Sequence, residues 1–122
     1  MSILVVDDSK TMRLIVRKAL RQAGYGAYEI EEATNGKEAL ERVRTQKPEI
    51  VLSDWNMPEM SGYELLQALN SEGVKIPFGF VTSEGTDEMR QRAASAGARF
   101  LLAKPFTSEA ISAALNGILA PG

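Results

Sequence analysis

The chain has 122 residues, with 44% apolar and 25% charged side chains and a formal net charge of −2. That is enough for one globular domain with a real core, too little for two, and far from the basic stripe expected of a nucleic-acid binder. It holds neither cysteine nor histidine, which excludes disulfides, thiolate metal sites and the commonest general base, so any metal must be a hard cation held by oxygens.

The N-terminus, Met1-Ser2-Ile3-Leu4-Val5-Val6, runs into acids without a basic flank, unlike a secretory signal. No apolar run is long enough for a membrane span, so a cytoplasmic protein is expected. Residues 3–6 form a continuous apolar run, as in a central parallel strand buried on both faces. Asp7 and Asp8 follow at its end. Ser9 can cap a helix whose apolar stripe is Met12, Ile15, Val16, Ala19, Leu20 and Ala23, stopped by Gly24. Ala27 to Ala33 alternates imperfectly and suits an edge strand. Gly24-Tyr25-Gly26 precedes that strand instead of following one, so it is no dinucleotide fingerprint. Asn35 and Glu38 can cap a second helix carrying Ala39, Leu40 and Val43 and ending before Pro48.

Ile50-Val51-Leu52-Ser53 reads as a third, buried strand. It delivers Asp54 to a loop containing Asn56, Pro58 and Gly62, and Ser61 with Glu64 forms a capping box for the next helix. That helix turns Leu65, Leu66 and Leu69 inward and closes near Gly73. Phe78-Gly79-Phe80-Val81 is a fourth strand, ending at Thr82-Ser83. A weaker helix over Thr86 to Ala96 offers only Met89, Ala93 and Ala94, with Gly97 at its end. Phe100-Leu101-Leu102-Ala103 is a fifth strand, ending at Lys104-Pro105. The last helix presents Ile111, Ala114, Leu115, Ile118 and Leu119. Tyr25, Tyr28 and Tyr63 read as partly exposed aromatics, and Trp55 as either loop packing or a partner contact.

Strand and helix thus alternate five times, the pattern of a parallel sheet covered on both faces through right-handed crossovers. Such a sheet brings every strand's carboxyl end to one edge, where ligands bind. Asp7, Asp8, Asp54, Thr82, Ser83 and Lys104 all fall there. Singly each has a bland reading: an acid pair favouring a helix start, a threonine satisfying strand-end backbone, a solvated lysine. Together they do not. Two carboxylates about 5 Å apart repel by roughly 3 kcal/mol at an effective dielectric near 20, and a divalent cation such as Mg²⁺ turns that repulsion into binding. With Lys104 and the Thr82 hydroxyl opposite, the group reads as a pocket for a phosphoryl group carried on Asp54.

The strand followed by Asp7-Asp8, the run Ser53-Asp54-Trp55-Asn56-Met57-Pro58-Glu59-Met60-Ser61-Gly62, Thr82 ending the fourth strand and Lys104-Pro105-Phe106 ending the fifth resemble the receiver domain of two-component response regulators. The chain is specifically similar to the single-domain, CheY-like chemotaxis type, over residues 1–122. The resemblance implies a doubly wound, flavodoxin-like (βα)₅ fold with strand order 2-1-3-4-5. It implies Asp54 as phosphoacceptor, Asp8 as a direct Mg²⁺ ligand, Asp7 acting mainly through water, and the backbone carbonyl of Asn56 as a further ligand. Lys104 would grip a phosphoryl oxygen and Thr82 would be drawn in on phosphorylation, with Ser83 beside it. A cis Lys104–Pro105 bond is expected. The implied partners are a histidine kinase as phosphodonor and a downstream protein that docks on the fourth helix, fifth strand and last helix, with no nucleic acid or membrane. The implied protein is no enzyme beyond self-catalysed phosphotransfer and autodephosphorylation.

One position departs from the family pattern: Leu101 stands three residues before the lysine, where an aromatic is usual. Glu84, Asp87 and Glu88 also make the start of the fourth helix acidic where the chemotaxis relatives are basic. An aspartyl-phosphate phosphohydrolase is the competing class, disfavoured because Asn56 stands where its general acid would be. A receiver that only docks, unphosphorylated, and a flavin or dinucleotide carrier are weaker alternatives; the latter lacks a glycine loop after the first strand.

Overall fold

The structure is a computed structural model and describes all 122 residues. Five strands, β1 (Ser2–Val6), β2 (Glu29–Ala33), β3 (Ile50–Ser53), β4 (Phe78–Thr82) and β5 (Phe100–Ala103), alternate with helices α1 (Lys10–Leu20), α2 (Gly36–Gln46), α3 (Gly62–Ser71), α4 (Asp87–Ser95) and α5 (Ser108–Leu115). All strand pairs are parallel and the sheet order is β2-β1-β3-β4-β5. Fold class and strand order both agree with the expectation. The five-strand flavodoxin-like order puts its switch point between β1 and β3, the crevice where ligands bind.

The period-two alternation of the strands divides the core. Leu4, Val6, Val51, Phe78, Phe80 and Leu101 face one way, onto Ala39, Leu40 and Val43 of α2, Leu65, Leu66 and Leu69 of α3, and Ala93 of α4. Ile3, Val5, Ile50, Leu52 and Val81 face the other way, onto Val16, Ala19 and Leu20 of α1 and Ile111 and Leu115 of α5. The central strands are buried at nearly every position, which is why they read as unbroken apolar runs. Phe100 lies on the α5 side and its ring covers Gly79, where any Cβ would collide with it.

Caps form where the side chains promised them. Ser9, Asn35, Ser61, Thr86 and Thr107 each accept a backbone N–H in the first turn, and Ser61 with Glu64 completes the capping box.

Several elements differ from the sequence reading. Ile15 is exposed, as is its neighbour Leu14, because only Val16, Ala19 and Leu20 of α1 reach the sheet. Past Leu20 the helix widens into a π-helical turn, Arg21–Tyr25, broken at Gly24 with φ 100°. This turn swings Tyr25 into the core, so Tyr25 and Tyr28 are buried rather than partly exposed, and their hydroxyls donate to the carbonyls of Leu119 and Ala120. The second strand starts at Glu29, because the Ala27 N–H is taken by the Gly122 carbonyl instead of a ladder. Two of its three acids are paired: Glu32 accepts from Arg13 and Arg17, and Glu31 from Arg42. Ala94 is exposed and contributes nothing to the core. The last helix stops at Leu115, since Asn116 is extended and Gly117 has φ 85°; Ile118 and Leu119 pack against the core from outside it. No helix is long and apolar enough to cross a membrane.

Candidate functional site

The ladder itself carries the polar residues to one place. Val6 pairs with Ser53, and the Asp54 N–H donates to the Val6 carbonyl at 2.9 Å, so Asp7 and Asp54 leave neighbouring strands side by side. Thr82 pairs with Ala103, and the Lys104 N–H donates to the Thr82 carbonyl at 2.7 Å, which aligns Lys104 with the same edge.

Asp7, Asp8 and Asp54 each place a carboxylate oxygen within 4.8 Å of the others. Asp7 is buried, Asp54 half-buried and Asp8 exposed. Asp7 is fixed at both oxygens: Oδ1 accepts the Ser9 N–H at 2.9 Å and Oδ2 accepts from Lys104 Nζ at 3.0 Å. Its backbone carbonyl accepts from Arg13 Nη1 at 2.7 Å. Asp54 Oδ1 accepts the Trp55 N–H at 2.7 Å, and Oδ2 lies 3.7 Å from Lys104 Nζ. Lys104 thus spans two of the three carboxylates, and its peptide bond to Pro105 is cis, as expected.

Burial pushes the Asp54 carboxyl above its ordinary range. Lys104 and the Trp55 N–H pull it back, while the charges of Asp7 and Asp8 add to the rise. One lysine therefore does not neutralise the cluster. An all-oxygen, net-negative donor set fits a hard divalent cation, and Asp7, Asp8 and Asp54 with a loop carbonyl would hold Mg²⁺ here.

The loop after Asp54 is wound tightly over it. Gly62 donates its N–H to the Trp55 carbonyl at 2.8 Å, and a Cβ there would run into the Asp54 carbonyl oxygen. The Ser53 hydroxyl donates to that same oxygen at 2.8 Å. Thr82 is fully buried at the neighbouring strand end, its Oγ1 accepting the Glu84 N–H at 3.3 Å. Ser83 is exposed at the mouth.

A profile of the response regulator receiver domain matches residues 3–116. The chain belongs to this receiver family. The receiver is 39% identical, over 95% of its length and 90% of the relative's, to a probable chemotaxis protein CheY of Rhizobium etli. It is 36% identical to chemotaxis protein CheY1 of Helicobacter pylori, over 98% and 97% of the two chains. Among solved structures, chemotaxis protein CheY4 of Vibrio cholerae superposes with a TM-score of 0.84 at 32% identity, covering 97% of this chain and 98% of that one. The receiver is thus of the CheY-like type.

Sequence reading missed one contact of the site. Asn56 Nδ2 donates to Glu84 Oε1 at 3.1 Å, strapping the loop after β3 to the loop after β4 across the mouth. The two residues lie 28 positions apart, and no local pattern announces the contact. Trp55, left open between packing and partner contact, is packing: it is buried against Phe80 and Tyr63, with centroids at 4.6 Å and 5.1 Å. Leu101 is 6% exposed and sits inside the core beside α4.

Proposed function

We propose that this receiver accepts a phosphoryl group on Asp54, with Mg²⁺ bound by Asp7, Asp8, Asp54 and the Asn56 carbonyl, and uses it to switch a protein-docking face. The observation that carries this reading is the convergence of three carboxylates on one lysine at the sheet edge. An Asp54 carboxylate oxygen attacks the phosphorus of a phosphohistidine in a histidine kinase. The P–N bond breaks, and the leaving imidazole takes up a proton. Mg²⁺ held by Asp7, Asp8, Asp54 and the Asn56 carbonyl would supply positive charge against the oxygens of the transferring group. Lys104 holds one of those oxygens, and the Thr82 hydroxyl, with Ser83 beside it, turns toward another and pulls on the Glu84 backbone it now engages. Water later removes the phosphate, so the chain is a phosphoacceptor and not an enzyme in the ordinary sense. Histidine kinases and their ATP place the reaction in the cytoplasm.

The docking face in this reading is α4, β5 and α5, and its occupant is a protein rather than nucleic acid or a membrane. Glu84, Asp87 and Glu88 are exposed at the start of α4, which favours a partner with basic groups and rejects one built for a basic face. Leu101 brings neither a ring to swing nor a hydroxyl to offer, so the threonine half of the usual switch acts without its aromatic half.

Acetyl phosphate with Mg²⁺ tests the reading. Intact-mass measurement should show one added phosphate, lost with EDTA and in Asp54→Asn. Labelling that persists in Asp54→Asn overturns the assignment.

A further inference from the structure

Helix α4 is the element with the least apolar anchorage. Of Asp87–Ser95 only Ala93 is buried, with Met89 partly so. Two arginines hold its flanks instead. Arg90 Nη1 donates to the Leu101 carbonyl of β5 at 2.9 Å. On the other side the Arg92 guanidinium lies 4.5 Å from the Tyr63 ring centroid and 5.7 Å from that of Trp55. Tyr63 and Trp55 are themselves stacked, their planes 17° apart, and Phe80 also packs on the indole, its centroid 4.6 Å away. Trp55 follows Asp54 directly, and its N–H is the group bound to Asp54 Oδ1. From the carboxylate to α4 the path is therefore one hydrogen bond, one aromatic stack and one cation–π contact.

We propose that Arg92, acting through Tyr63 and Trp55, is a positioning residue that couples α4 to the Asp54 carboxylate. This rests on the phosphoacceptor reading above. A carboxylate oxygen makes a charge-assisted bond to the Trp55 N–H, about twice as strong as a neutral one. Phosphorylation converts the carboxylate into an acyl phosphate, which removes its charge and weakens its hold on the Trp55 peptide. The indole is buried and packed by Phe80, so reorientation of the peptide passes to the stacked Tyr63 and the guanidinium resting on it. The coupling runs both ways: a partner carboxylate that draws Arg92 off the rings loosens the peptide that orients Asp54. In this chain the stack takes over work that Leu101, already buried, does not do.

The test compares wild type with Arg92→Ala, Tyr63→Leu and Tyr63→Phe, each treated with acetyl phosphate and Mg²⁺. Intact mass gives phosphate occupancy, and amide hydrogen exchange over residues 87–95 gives the response of α4. Arg92 is exposed and alanine is the best helix former, so Arg92→Ala keeps the fold. Phosphorylation should alter exchange of α4 in the wild type by about two- to fivefold, the scale of an exposed cation–π contact. At equal occupancy the change should vanish in Arg92→Ala and Tyr63→Leu and survive in Tyr63→Phe, which keeps the ring. A labelled wild type with an unresponsive α4, or a response that persists in both Arg92→Ala and Tyr63→Leu, overturns the coupling alone. A wild type that takes no phosphate overturns the phosphoacceptor reading and the coupling with it.

Discussion

Asp54 is a residue whose environment works against its charge. Burial raises its carboxyl pKa first, Asp7 and Asp8 add to the rise, and Lys104 and the Trp55 N–H only partly oppose them. A carboxyl raised on folding contributes stability that is present below its unfolded value and lost as pH rises through its folded value. Without divalent cations the wild type should therefore lose stability as pH climbs above the ordinary aspartate range. Asp54→Asn should remove this dependence and melt higher at neutral pH. A gain of about 1 kcal/mol, within the usual span of single substitutions, corresponds to roughly 4 °C in a domain of this size. Melts in EDTA across that pH range decide it; an Asn variant that melts no higher at any pH would mean Lys104 outweighs the clustering. Every member of this cluster was legible in the sequence, because each follows an apolar run that ends at the same sheet edge. Glu84 and the Trp55–Tyr63–Arg92 stack were not, since their partners come from separate elements and share no spacing.

At the scale of elements, legibility followed how each segment is held. Strands β1, β3 and β4 are buried on both faces and announced themselves as unbroken apolar runs. Helices α2 and α3 had caps and stripes that the structure reproduces. What failed were ends: β2 begins late because distant Gly122 takes the Ala27 N–H, and α5 stops at Leu115 because Asn116 leaves helical backbone and Gly117 has positive φ. The pairing of β4 with β5 is a further long-range device, because Gly79 and Phe100 are register partners and the ring occupies the glycine's missing side chain. Gly79→Ala alone should destabilise by about 1–3 kcal/mol through overpacking. Phe100→Ala, at a partly exposed site, should cost about 2 kcal/mol. In the double variant alanine at 79 has room and suits a strand better than glycine, so the losses should fall short of additivity by more than about 0.5 kcal/mol. Urea titrations of the four proteins measure that coupling, and strict additivity would show that the ring can leave Gly79 freely.

At the scale of the whole molecule, the doubly wound topology concentrates negative charge at one edge of the sheet. Asp7, Asp8 and Asp54 are gathered by β1 and β3, while a pair such as Arg42 on Glu31, which fastens α2 to the edge strand, is balanced within itself. The cluster thus carries a local negative excess that Lys104 only partly offsets, and the stability difference between wild type and Asp54→Asn should change sign with metal. In EDTA, Asp54→Asn should melt above the wild type, for the reason given at that residue. In Mg²⁺ the order should reverse. A cation that binds only the folded chain adds about 2.7 kcal/mol at a hundredfold excess over its dissociation constant, or roughly 10 °C here. Asp54→Asn has given up one anionic ligand and Asp8→Ala another, so both should gain far less than the wild type. Thermal melts of the three proteins with and without Mg²⁺ at constant ionic strength read the crossing directly. Equal gains in all three would mean that the cation only screens surface charge, and that the acidic edge is not a metal site.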